Sequence, residues 1–100
     1  MLPYKPFNLS ISNHAVDRFS QRSTTGIIDE IKIRSTIRDY LQNVNESDIY
    51  ETKEGTYYVK FYEDVLSTKK DDDFYFIISK DSTVMTFTKM RIEKLMEKIR

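Results

Sequence analysis

The residues best suited to chemistry in this sequence of 100 residues lie near its start. His14, Arg18 and Arg22 recur at every fourth position, so a helix stacks one imidazole and two guanidiniums along a single face. An imidazole gives or takes a proton near neutral pH, and a guanidinium clamps a phosphate through two parallel hydrogen bonds. A second set lies further along. Tyr58, Lys60 and Tyr62 alternate with Tyr57, Val59 and Phe61, which puts the first three on one face of a strand. Thr86, Thr88, Lys89 and Arg91 follow on a later strand, and a sheet offering Tyr, Lys and Thr can stack bases and hold phosphates.

Other chemistries are poorly supplied. One histidine and no cysteine leave carboxylates as the main metal ligands, and Asp71-Asp72-Asp73 lacks the alternating spacing and the glycine of a calcium loop. No metal site is expected. No G-x-S-x-G elbow presents a serine nucleophile. With two glycines in the chain there is neither a phosphate-cradling loop nor a dinucleotide fingerprint, so no cofactor is expected.

Elements must hold these residues in place. Phe7, Leu9 and Ile11 alternate after Pro6, which predicts a short strand or an extended lead-in. Ser12 and Asn13 are good N-cap types, and a helix follows over 14–22 with Ala15, Val16 and Phe19 facing inward. Ser23-Thr24-Thr25-Gly26 breaks it. A second helix is predicted over 27–43 from Ile27, Ile31, Ile33, Ile37, Tyr40, Leu41 and Val44. Arg34 and Arg38 fall inside its apolar arc, where they either snorkel at the edge or face something polar.

The period then changes to that of strands. Segments 48–53 and 56–63 flank Glu54-Gly55, a hairpin candidate in which Gly supplies positive φ. Residues 69–73 read as a solvated loop, and the apolar run over 74–79 as a central strand. Lys80-Asp81-Ser82 turns the chain into a strand over 83–89, where Met85 and Phe87 alternate with Val84, Thr86 and Thr88. Ile92, Leu95, Met96 and Ile99 space a C-terminal amphipathic helix. The expected class is α+β: two N-terminal helices, a four-stranded antiparallel meander and a C-terminal helix, in one domain over 1–100.

Composition agrees with a folded domain: 39% of residues are apolar and 13% aromatic, and the net charge is zero. No segment has the length of a membrane span and the start shows no signal-peptide pattern, so a cytoplasmic protein is the expectation. The zero is a cancellation. Residues 1–45 carry +2, residues 46–73 carry −5 and residues 74–100 carry +3.

The run Ser12-Asn13-His14-Ala15-Val16-Asp17-Arg18-Phe19-Ser20-Gln21-Arg22 resembles the S-x-H-A-x-x-R-x-x-x-R signature that opens a family of small bacterial and phage domains. Those domains are similar to the barnase–EndoU–colicin–RelE class of ribonuclease toxins. Val84-Met85-Thr86-Phe87-Thr88 partly meets the family's late V-x-T strand, while Ser23 stands where the family usually has Gly. The resemblance implies metal-independent RNA cleavage. His14 would then act as base or acid, Arg18 and Arg22 would hold the phosphate, and Thr86 would orient a phosphate oxygen or the histidine. With one histidine, the second proton-transfer group would be Lys60, Tyr58, Tyr62 or nothing, and these three with Lys89 would bind substrate.

Two functions follow. One is an RNA-binding, toxin-like ribonuclease domain. The other is a non-enzymatic interaction protein, an inhibitor or host modulator, whose acidic segment 46–73 meets a basic protein partner. Oligomeric state is left open.

Overall fold

The structure is a computed structural model that describes residues 2–22, 29–62 and 72–99. It is an α+β fold in which a five-stranded sheet is packed by helices on both faces. After a 3₁₀ turn at Pro6–Asn8 come β1 (Ser10–Ile11), α1 (Asn13–Arg22) and α2 (Glu30–Gln42). A second 3₁₀ turn, Glu46–Asp48, leads into β2 (Ile49–Glu51), β3 (Tyr57–Phe61), β4 (Asp72–Ile78), β5 (Thr83–Arg91) and α3 (Ile92–Ile99).

The sheet runs β1-β5-β4-β3-β2, and β4 is its central strand, as its apolar sequence requires. β2 to β5 form the expected antiparallel meander. The expected four strands become five because the lead-in is itself a strand. β1 pairs parallel to β5, Ser10 with Thr83 and Ile11 with Val84, and makes the sheet mixed.

Local chemistry sets the boundaries. The Ser12 hydroxyl accepts the Ala15 N–H at 3.0 Å and starts α1. Asp29 caps α2 by accepting the Ile31 N–H at 2.9 Å, so the described helix begins at Glu30; Ile27 and Ile28 lie outside the described residues. The hairpin closes at Thr52 N–H to Thr56 C=O, 2.9 Å, around Lys53-Glu54-Gly55 with Gly55 at φ 88°. One more residue joins the turn than the Glu54-Gly55 pair expected. Ser82 holds the β4–β5 turn at φ 66° and accepts the Lys5 N–H on its hydroxyl, which ties the N-terminal segment to that turn. Of residues 69–73, expected as a solvated loop, Asp72 and Asp73 belong to β4, and 69–71 lie outside the described residues.

The main core lies between the sheet and α1 and α2. Ala15, Val16 and Phe19 of α1 and Ile33, Ile37 and Leu41 of α2 are buried against Val59, Phe76, Ile78, Val84 and Phe87. Ile31, expected inside, is 78% exposed. At ~100° per residue it points roughly 160° away from Ile33, so it lies on the outer face. Arg34 resolves its alternative as a polar clamp. Its guanidinium donates to the Ile11 carbonyl and to Asn13 Oδ1 and pairs with Glu30 at 3.0 Å, so it fastens α2 to the β1–α1 junction. Tyr4 adds a second fastening, donating to the Leu41 carbonyl at 2.6 Å. On the other face α3 covers a smaller cluster of Tyr58, Tyr75 and Leu95.

Phe19 is the aromatic centre of the main core, with its ring 5.1 to 5.8 Å from those of Phe61, Phe76 and Phe87. Phe19→Ala is expected to cost about 3–5 kcal/mol, a large part of the stability of a small domain. Urea unfolding checks this, and a loss below about 1 kcal/mol would contradict the packing described.

Candidate nucleic-acid interface

The helical stripe forms, but its three members do different work. A four-residue step rotates a helix position by about 40°, so eight residues carry Arg22 roughly 80° round from His14, toward the sheet. His14 is exposed and makes no hydrogen bond to a described residue. Arg18 is half-buried. Arg22 reaches β5 and donates from Nη1 to the Phe87 carbonyl at 2.9 Å.

That bond completes a series along the outer edge of β5. Ser10 N–H donates to Ser82 C=O at 3.0 Å and Ser12 N–H to Val84 C=O at 3.1 Å. The Ser12 hydroxyl then donates to Met85 C=O at 2.9 Å, and Arg22 to Phe87 C=O. Edge carbonyls left open invite pairing with another chain, and here β1 and the two ends of α1 take them. Part of the motif is therefore an edge cap.

Thr86 does not join the stripe. Val84 pairs with Ile78 and Thr86 with Ile77, so Met85 is an extra residue, a β-bulge between them. Strict alternation would place Thr86 beside Val84 on the α1 face. The bulge reverses it: Val84 and Phe87 face α1, and Thr86 shares the face of Ile77 with α3. Thr86 therefore lies on the opposite face of β5 from α1, which carries His14, Arg18 and Arg22.

The substrate-binding set is divided too. Tyr58 and Lys60 share the α3 face, in register with Ile77 and Tyr75, which in turn face Thr86 and Thr88. Tyr58 is buried under α3, and Lys60 pairs with Asp73 at 3.4 Å. Tyr62 follows the end of β3, and its hydroxyl donates to Asp48 at 2.7 Å. Lys89 lies on the opposite, α1 face, with its ammonium 5.8 Å from the Phe74 ring centre. It sits two residues beyond Phe87, roughly 6–7 Å along the strand from the carbonyl that Arg22 holds. Arg91, by alternation, follows on the same face. The α1 stripe and β5 thus form one basic edge, and β5 makes the join.

Proton transfer is poorly served. Burial pushes the Tyr58 hydroxyl above its ordinary pKa, and the bond to Asp48 pushes Tyr62 up to about 12. Neither is poised to exchange a proton near neutral pH. The groove of about 360 Å³ beside α1 is lined by Asn13, Val16, Asp17, Ser20, Glu30 and Ile33, so it opens on the acidic flank of the helix rather than on His14. Among the described residues no three His, Asp or Glu side chains group so as to hold a metal ion. No described helix is long and apolar enough to cross a membrane.

No family model matches this chain, and no curated protein or solved structure matches it either. The likeness to ribonuclease toxins therefore rests on the motif residues alone.

Sequence reasoning found the helix cap at Ser12 but not its bond to Met85, passed over the structural duty of Arg22, and missed Asp48 and Tyr75. Asp48 could have been found as a carboxylate at a strand start. Tyr75, whose buried hydroxyl has no hydrogen-bond partner among the described residues and whose pKa burial raises to about 12, carries no signal within its apolar run.

If Arg22 caps the β5 edge, Arg22→Ala removes a bond from a charged donor to a half-buried carbonyl and costs about 1.5–3 kcal/mol. His14→Ala is expected to stay within about 0.5 kcal/mol, as a surface change does. Chemical denaturation of the two variants checks this. Equal small losses would contradict the edge cap.

Proposed function

We propose that this chain is a small RNA-binding domain that grips the phosphate backbone through the basic edge of α1 and β5 and does not cut it. The observation that carries the reading is the Arg22–Phe87 bond, which joins the stripe of His14 and Arg18 to the strand positions of Lys89 and Arg91. Single strands are held by positive grooves that track the backbone, and a helix stripe continued by a strand provides such a track. The resemblance of the motif to that of small domains similar to ribonuclease toxins supports the choice of RNA. The absence of cleavage is inferred from the placement of the partners that a reaction needs. Thr86 faces α3, Arg22 is occupied with a backbone carbonyl, and the tyrosines offered as second acid or base have raised pKa values.

The test is titration of a 5′-labelled single-stranded RNA at several salt concentrations. Arg18→Ala combined with Lys89→Ala is expected to weaken binding at all sequences and to reduce the salt slope by roughly 0.7 for each lost phosphate contact. Labelled RNA should remain intact throughout. Wild-type protein that fails to bind, or a double variant that binds as wild type, would overturn the reading. Scission abolished by His14→Ala would restore the ribonuclease.

A further inference from the structure

The far end of the sheet differs in charge and in shape. β2 is the other edge strand, and the segment that leads through it carries Glu46, Asp48 and Glu51. Beside it lies a groove of about 560 Å³, lined by Tyr40, Asn43, Val44, Asp48 and Tyr62 among others. We infer that this groove is a docking site for an arginine side chain presented by a partner protein.

Four features agree on a cation. The groove lies at the C-terminal end of α2, where the helix dipole is negative, and the last turn of α2 contains no basic residue. The Asp48 carboxylate has about four acceptor positions, and the Tyr62 hydroxyl takes one of them. Tyr62 is 55% exposed, so an aromatic face that can take a cation is accessible beside the carboxylate. Ser47, Asp48 and Tyr62, which line the groove, belong by sequence to the acidic part of the chain.

The two tyrosines are held before any ligand arrives. The Tyr40 hydroxyl donates to the Lys60 carbonyl at 2.6 Å and accepts the Tyr62 N–H at 3.3 Å. Its ring is fixed edge-on to Phe61 at 4.8 Å. A rigid aromatic wall beside a carboxylate suits a guanidinium better than an ammonium. The guanidinium is planar, so it can lie on a ring while its N–H groups reach the Asp48 carboxylate and polar neighbours such as Asn43. A phosphate would be repelled there, so the site is distinct from the basic edge and does not depend on RNA binding. The two surfaces lie at opposite ends of the sheet order.

The test uses three capped tripeptides, Gly-Arg-Gly, Gly-Lys-Gly and Gly-citrulline-Gly, titrated into ¹⁵N-labelled full-length protein. The arginine peptide should shift the amides of Asn43, Val44, Asp48 and Tyr62 saturably, and the neutral citrulline peptide should not. Asp48→Asn should weaken the arginine peptide by roughly tenfold or more, the scale of one charge-assisted hydrogen bond. Tyr62→Phe keeps the ring and releases the carboxylate, so it should bind at least as tightly as wild type. Citrulline binding equally well, an unchanged Asp48→Asn, or no shifts in the groove would overturn the site. Lysine binding as tightly as arginine would overturn the guanidinium assignment.

Discussion

The fold depends on how the outer edge of β5 is closed. Only two residues of β1 pair with this strand, which continues to Arg91. Its carbonyls beyond that pairing need other donors, because an open row of them is a template for another chain. The Ser12 hydroxyl and the Arg22 guanidinium, one at each end of α1, donate to Met85 and Phe87. That placement lays α1 over β5 and lets Ala15, Val16 and Phe19 enter the main core. One helix is thus both edge cover and core element, and its orientation is fixed by hydrogen bonds at two points.

The same arrangement explains why the chemical residues do not converge. The bulge at Met85 turns Thr86 and Thr88 toward α3, while Phe87, Lys89 and Arg91 turn toward α1. Along β5, arginine and lysine gather on one side and threonine on the other. The second side is largely spent on packing, with Tyr58 and Tyr75 buried and Lys60 paired to Asp73. A basic edge survives this division, and Thr86, Tyr58 and Lys60 lie across the sheet from it. At the opposite end of the sheet Asp48 stands in a groove with Tyr40 and Tyr62, so the zero net charge of the chain conceals two surfaces of different character.

Much of the fold was legible in the sequence, and for physical reasons. Buried positions recur with the period of their element, so Ala15-Val16-Phe19, Ile33-Ile37-Leu41 and the apolar β4 identified themselves. The Ser12 cap, the Gly55 turn and the central place of β4 followed from local chemistry. Relations between distant segments were not legible. The parallel pairing of β1 with β5 joins residues more than seventy positions apart. The bulge adds one residue without any glycine or proline to mark it, yet it inverts every later side chain on β5. Arg22 and Arg34 look like solvated or ligand-binding arginines until the carbonyls of Phe87 and Ile11 appear beside them. The candidate site was therefore legible as a list of residues and not as a place.

The central claim is that the bulge separates Thr86 from the histidine-bearing helix. The most direct measurement is the set of nuclear Overhauser effects from the Thr86 methyl group in the folded protein. The account predicts cross-peaks to the Ile77 side chain and none to the His14 ring or to Phe19. A cross-peak from Thr86 to His14 would contradict it and would bring the four motif residues back into one site.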